Sequence, residues 1–335
     1  MPDSRAKTKA TAKPAATAKI GVYWAASCGG CDCALLEVNE QILDVAAAAD
    51  ILLWPCAADA KYSDLRGYKN GEIDLVLFNG AIRTEENREI AKLIREKTKY
   101  LAAFGSCAHT GGVIGLANLS SREEIFSRVY GAEENWPQLE VSQNGETLHL
   151  PEFLTTLTPL DAVVDVDYYV PGCPPPAGVV SDLFSALVTG DLPPTGTVFA
   201  SSKNLCDECP REREQLKITK ILRPHEQEPD PDKCLLDQGF ICMGPATRGG
   251  CGAVCPKANM PCTGCAGPTA NIEDQGAAML NTLASLVGTG EEGEDQLEAE
   301  DAILAQIDDI VGTFYRFSSA TTLLKGRYHE RNATR

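Results

Sequence analysis

The chain has 335 residues, of which 30 are Lys or Arg and 47 are Asp or Glu, so its net charge is −17. This length suggests about two domains. The negative charge argues against nucleic acid or an anionic membrane as the main partner, because both require a basic surface. No run of about 18 apolar residues occurs, so we expect no membrane span.

Residues 1–18 are basic and rich in Ala, Thr and Pro, and this composition predicts a disordered arm. An organelle transit peptide or a partner-binding tail is the alternative. The arm lacks the apolar stretch of a signal peptide. We therefore expect a cytoplasmic, reducing location, in which the 14 cysteines of the chain favour metal ligation over disulfides.

After the arm, short apolar segments alternate with helical patterns, which predicts a doubly wound parallel sheet. Apolar residues recur at helical spacing over residues 35–45. A second helix is predicted over 84–98, where Thr84 can act as the cap with Asn87 as its capping-box partner. The predicted strands are residues 19–24, 51–54, 75–78, 101–104 and 165–170.

Four cysteines follow the ends of these predicted strands. In open α/β sheets, ligands bind beyond the carboxyl ends of the strands, so thiols from three separate loops are expected to meet at one edge. Neighbouring glycines would let backbone amides approach a bulky anionic cluster. The four are Cys28 and Cys31 after the first strand, Cys107 after the fourth and Cys173 after the fifth.

The composition changes after about residue 195. Residues 204–268 hold eight cysteines and little apolar periodicity, so we expect that this segment cannot build a core from side chains alone and needs metal to fold. Residues 281–310 contain nine acids and no base. This last region predicts one or two acidic amphipathic helices, which either cover the domain or dock a partner.

Two metals are compatible with the cysteine spacing. The Cys206/Cys209 and Cys262/Cys265 pairs fit the knuckles of structural zinc sites. Iron–sulfur clusters are favoured by number, because twelve cysteines divide into three groups of four. The two left over, Cys33 and Cys56, are expected to be free buried thiols.

Several motifs then follow one another in a specific order: Cys28-Gly29-Gly30-Cys31, Gly105-Ser106-Cys107-Ala108 with Gly111-Gly112, Pro171-Gly172-Cys173-Pro174-Pro175, Cys242-Met243-Gly244-Pro245 and Cys262-Thr263-Gly264-Cys265. Over roughly residues 19–270, this order resembles the small (gamma) subunit of [NiFe] hydrogenases. The chain is most similar to the cytoplasmic methyl-viologen-reducing branch, which does not reduce deazaflavin.

The resemblance implies three [4Fe-4S] clusters in a row. The proximal cluster would face the nickel–iron site of a separate large subunit, and no nickel–iron site is expected in this chain. The implied ligands are Cys28, Cys31, Cys107 and Cys173 for the proximal cluster, Cys251, Cys255, Cys262 and Cys265 for the medial cluster, and Cys206, Cys209, Cys234 and Cys242 for the distal cluster.

Two positions depart from the pattern of many family members. Cys206 stands where many of them place a distal histidine. Cys255 offers a fourth medial thiolate where many have a three-iron cluster, so we predict a medial [4Fe-4S] cluster with a lower potential.

The implied architecture is a flavodoxin-like doubly wound parallel sheet followed by an irregular iron–sulfur domain and C-terminal helices. The expected boundaries are 19–195 for the sheet domain with the proximal cluster and 196–270 for the medial and distal clusters. An acidic helical extension is expected over 271–335.

The implied function is electron transfer in a soluble hydrogenase. Electrons from hydrogen oxidation in the large subunit would reach an iron–sulfur or flavin acceptor subunit, with a heterodisulfide reductase complex as the candidate. The alternatives are a deazaflavin-reducing hydrogenase subunit and, from a different class, a zinc-stabilised interaction module. His109 is expected to be an ordinary loop histidine, and His149, His225 and His329 to be solvated.

Overall fold

The computed structural model describes residues 18–137, 139–143, 146–214, 217–288 and 294–323. The predicted arm, apart from Ala18, and His329 lie outside these ranges. The strands are β1 (Ala18–Trp24), β2 (Ala49–Leu53), β3 (Ile73–Asn79), β4 (Ile82–Thr84), β5 (Thr98–Phe104), β6 (Glu140–Gln143), β7 (Glu146–His149), β8 (Phe153–Thr158), β9 (Tyr168–Val170) and β10 (Thr197–Val198). The helices are α1 (Gly30–Leu36), α2 (Gln41–Ala48), α3 (Tyr62–Gly67), α4 (Glu85–Lys97), α5 (Ser106–Thr110), α6 (Arg122–Tyr130), α7 (Ala177–Thr189), α8 (Val254–Lys257), α9 (Gln275–Leu286), α10 (Glu294–Leu304) and α11 (Ile310–Phe314).

A six-stranded parallel sheet organises the first half of the chain, with the order β2-β1-β3-β5-β9-β10. When the strands outside this sheet are skipped, the order is that of flavodoxin-like folds. The predicted doubly wound α/β sheet is therefore confirmed. The strand order reverses between β1 and β3, which places the switch point beside the loop that carries Cys28 and Cys31.

Both faces of the sheet are buried, as is usual for parallel sheets covered by helices. Adjacent residues of a strand point to opposite faces. Val22 and Leu77 pack in one apolar cluster with α1 and α7, whereas Tyr23 and Phe78 pack in another cluster with α4. Burial on both sides explains why the sequences of these strands are continuous apolar runs.

Of the two helices predicted from the sequence, one is present as predicted and the other is not. The capping box of α4 is present as predicted, because the Asn87 backbone N–H donates to Thr84 Oγ1 at 3.2 Å and the Thr84 backbone N–H donates to Asn87 Oδ1 at 3.2 Å. The apolar repeat over residues 35–45 does not form one helix. It is divided between α1 and α2 at Asn39, whose φ of +54° cannot continue a right-handed helix.

The segment after β10 contains little regular secondary structure, yet it has an apolar core. Leu205, Leu236 and Phe240 are buried together with Met279 of α9 and Phe314 of α11. Residues 204–268 therefore do not form this core alone, because the C-terminal helices supply apolar surface that this segment lacks. None of the described helices combines the length and apolar character needed to cross a membrane.

Candidate metal centres

The cysteines predicted to follow the sheet strands gather at one edge. Cys28 lies in the loop after β1, Cys31 lies in the first turn of α1, Cys107 lies in α5 after β5, and Cys173 follows β9. The thiol of Cys31 interacts electrostatically with those of Cys107, Cys173 and Cys28. Cys31 is buried, whereas Cys28 and Cys173 are exposed, so this proximal group is open on one side.

Backbone hydrogen bonds fix the loops of the proximal group. The Gly105 N–H donates to the Val170 carbonyl at 2.8 Å, and the Ser106 N–H donates to the Gly172 carbonyl at 2.8 Å. Gly112 has a φ of +59°, and a Cβ added there would lie 2.6 Å from Cys107 Sγ. The backbone therefore approaches the thiol more closely than any residue with a side chain could.

A buried acid beside the proximal group was missed by the sequence prediction. Asp32 follows Cys31 directly and is only 9% exposed. Its carboxylate accepts hydrogen bonds from Trp54 Nε1 at 2.9 Å and from Asn79 Nδ2 at 2.6 Å. These contacts anchor α1 to the loop after β2 and to β3, and they place a negative charge against the Cys31 thiol.

The distal group lies in the cysteine-rich segment. Its thiols line a single pocket. A Cβ added at Gly244 would lie 3.1 Å from Cys206 Sγ and 3.6 Å from Cys242 Sγ, so the backbone again lies against sulfur. The four cysteines on this pocket are Cys206, Cys209, Cys234 and Cys242.

The medial group lies between the other two. The thiol of Cys265 interacts electrostatically with those of Cys251 and Cys255, and the thiol of Cys262 interacts with that of Cys265. A small pocket is bounded by Cys251, Cys265 and the 171–176 loop of the proximal group. Cys255 is the exposed member.

Contacts between backbone and sulfur connect neighbouring groups. The backbone of Cys173 lies near the thiol of Cys265, and Ser106 Oγ donates to the Cys265 carbonyl at 2.5 Å. On the other side, the backbone N–H of Cys262 donates to Cys242 Sγ at 3.3 Å. The proximal, medial and distal groups therefore follow one another with direct contacts at each step.

The donor chemistry fits iron–sulfur clusters. Burial, together with neighbouring thiols, raises the pKa of the thiols of Cys107, Cys206 and Cys265 to about 12. A bound metal cation reverses this preference and stabilises the thiolate. Quartets of thiols in amide-rich, partly apolar pockets are the ligand type that such clusters use.

Within the described ranges, no three His, Cys, Asp or Glu side chains form a group that could hold a metal ion. In a four-iron cluster each thiolate binds a different iron atom, so a quartet does not need to converge on one point.

Two smaller predictions are wrong. Cys33 and Cys56 are exposed rather than buried. His109 lies in helix α5 instead of a loop and packs at a tilt against Tyr169 with ring centroids 4.9 Å apart. Its buried Nδ1 has no hydrogen-bond partner among the residues that the structure describes. Burial and the nearby charge of Arg248 lower the pKa of His109 to about 4. His149 and His225 are exposed, as expected.

Comparison with known proteins gives a consistent result. The family model described as NADH ubiquinone oxidoreductase, 20 Kd subunit, matches residues 28–187. The iron-sulfur subunit of the F420-non-reducing hydrogenase of Archaeoglobus profundus is 39% identical over 313 residues, which cover 90% of this chain and 95% of the relative. A subunit of the F420-non-reducing hydrogenase of Methanothermobacter thermautotrophicus is 40% identical over 312 residues, with coverage of 91% and 96%.

Among solved structures, an NAD+-reducing [NiFe]-hydrogenase in its H2-reduced state aligns with a TM-score of 0.45 and 27% identity. The alignment covers 53% of this chain and 94% of that one.

Proposed function

Because this chain belongs to the small-subunit family of [NiFe] hydrogenases, we propose that it carries electrons through three [4Fe-4S] clusters. The chain is an oxidoreductase component that works as part of a hydrogenase, together with a large-subunit partner. The observation that supports the proposal most strongly is the pair of hydrogen bonds that join one cysteine quartet to the next, from Ser106 Oγ to the Cys265 carbonyl and from the Cys262 N–H to Cys242 Sγ.

The residues proposed to hold the clusters are those of the three quartets. Cys28, Cys31, Cys107 and Cys173 would hold the proximal cluster, Cys251, Cys255, Cys262 and Cys265 the medial one, and Cys206, Cys209, Cys234 and Cys242 the distal one. When bound, such clusters accept and release single electrons at potentials set by charge, hydrogen bonding and exposure. The N–H group of Cys262 orients the neighbouring sulfur atom of Cys242 and stabilises its negative charge.

The chain's own residues also define an open proximal end. Cys28 and Cys173 are exposed on the proximal side, where we place the large subunit with the nickel–iron site. The proposed acceptor, an iron–sulfur or flavin subunit of a heterodisulfide-reductase-type complex, would approach the distal side. The names of the relatives exclude F420 reduction for those proteins, which favours this assignment over a deazaflavin-reducing enzyme. We place the complex in the cytoplasm.

The first experiment is anaerobic purification of the native complex, followed by iron, sulfide and zinc analysis and identification of the co-eluting chains. We expect about twelve irons with matching sulfide per copy of this chain, and a large subunit that contains nickel. A folded, colourless chain that contains zinc and no iron would overturn the proposal.

A variant pair then tests the ligand assignment. Cys107→Ser should lose the proximal iron and most hydrogen-dependent dye reduction. Cys33→Ser, at an exposed thiol outside the quartets, should retain both. Full activity in Cys107→Ser would show that the proximal assignment is wrong.

A further inference from the structure

Glu208 connects two of the cysteine quartets. It lies between Cys206 and Cys209 in the sequence, but its side chain extends away from that loop. Glu208 Oε1 accepts a hydrogen bond from the Gly250 backbone N–H at 2.9 Å and lies 3.8 Å from Cys251 Sγ, which donates to it. A carboxylate from the distal loop thus lies against a thiol of the medial group.

The surrounding backbone keeps Glu208 in this position. Segments 201–205 and 247–249 pair side by side: the Leu205 N–H donates to the Thr247 carbonyl at 2.8 Å, and the Gly249 N–H donates to the Lys203 carbonyl at 2.9 Å. A Cβ added at Gly249 would lie 3.2 Å from Glu208 Cδ and Oε1. The absence of a side chain at Gly249 therefore allows the carboxylate to approach.

No cation neutralises this carboxylate within the described ranges, where Glu208 makes no ion pair at 4.0 Å or less. A negative charge close to a cluster ligand disfavours the addition of an electron, because the reduced cluster is the more negative form. The Gly250 N–H bond holds the carboxylate in place even when Cys251 is a thiolate and repels it.

We infer that Glu208 is a positioning residue that fixes the Gly250–Cys251 loop and lowers the reduction potential of the medial cluster. The inference rests on the proposed function, since it requires a cluster at Cys251. A single side chain would then set the reduction potential of the medial cluster relative to that of the distal cluster. This difference determines how readily an electron passes from the medial site to the distal one.

Glu208→Gln tests this directly in the intact complex. Gln keeps an oxygen that can accept from Gly250 and replaces the other carboxylate oxygen with a donor, so the charge is lost while the shape is retained. EPR-monitored redox titration should show the medial potential shifted to a more positive value. The medial signal is identified by its loss in Cys251→Ala. Glu212→Gln, which removes an exposed acid from the same segment, serves as the matched control and should leave that potential unchanged.

Glu208→Asp provides a second measurement, because it keeps the charge but withdraws it from Cys251. We expect a smaller positive shift than in Glu208→Gln. An unshifted medial potential in a fully loaded Glu208→Gln complex would overturn the inference and leave the proposed function intact. Loss of medial iron in Glu208→Gln would also overturn it, because the retained acceptor should preserve assembly. Absence of cluster signals from the unaltered complex would instead refute the proposed function.

Discussion

Replacement of Gly112 by alanine should displace a proximal thiol. The new Cβ would lie 2.6 Å from Cys107 Sγ and 3.0 Å from Cys107 Cα, whereas ordinary contacts begin at 3.4 Å. The sulfur or its loop must therefore move by about 0.8 Å, which is several times the roughly 0.2 Å within which metal–ligand distances are normally held. Because Cys107 Cα is also in the way, rotation of the thiol alone does not relieve the overlap.

We expect the Gly112→Ala complex to lose its proximal cluster, which is about one third of the iron of this chain if three clusters are present. Hydrogen-dependent dye reduction should fall with it. The backbone at Gly112, with φ +59° and ψ −165°, adds strain of about 1–3 kcal/mol for any residue with a side chain.

The Gly131→Ala variant distinguishes the effect of backbone strain from the effect of steric overlap with Cys107. Gly131 also has a positive φ, +78°, but a Cβ there would meet no heavy atom within 4 Å. This variant should be less stable by a similar amount and should retain all its iron. Full iron content and normal dye reduction in Gly112→Ala would refute the reasoning, and equal iron loss in both variants would show that strain alone is the cause.

Two further predictions concern stability. Thr84→Ala removes the side-chain acceptor at the start of α4 and should lower the free energy of unfolding by about 1 kcal/mol, measured by anaerobic denaturant titration; an unchanged midpoint would contradict this role. Burial, with help from Asp161, raises the pKa of Tyr169 to about 12. The stability that Tyr169 contributes should therefore be complete below its ordinary pKa of about 10 and should be lost as the pH rises toward 12. Melting temperatures should fall less steeply over this window in Tyr169→Phe than in the wild type. Tyr130→Phe, at a hydroxyl-bearing ring that is 45% exposed, should show the wild-type slope.

The sheet could be predicted from the sequence because its signals are local. Apolar runs mark strands that are buried on both faces, and turn glycines mark their ends. The hairpin of β6 and β7 could not be found in this way, because exposed residues such as Val141 and Leu148 carry no burial signal. The division between α1 and α2 was hidden because Asn39 gives no strong warning of a left-handed backbone.

The exposure of Cys33 could have been predicted. Cys31 and Leu35 are four residues apart and share the buried face of α1, so Cys33, two residues from each, must point to the opposite face. The partners of Asp32 and Glu208 could not have been found, because they depend on which loops meet in three dimensions. A sequence pattern indicates the face of an element but does not identify the residue on the other side of the contact.

The connections between the quartets explain why the cysteine-rich segment is built mainly from loops. The interior of a helix or strand uses its N–H groups for its own ladder, so few of them remain to donate to a neighbouring sulfur. Irregular backbone leaves the N–H group of Cys262 free to donate to Cys242. The apolar surface of α9 then compensates for the missing regular structure by burying residues such as Phe240. The loops thus provide the contacts between carriers, and the C-terminal helices provide the core that holds those loops in place.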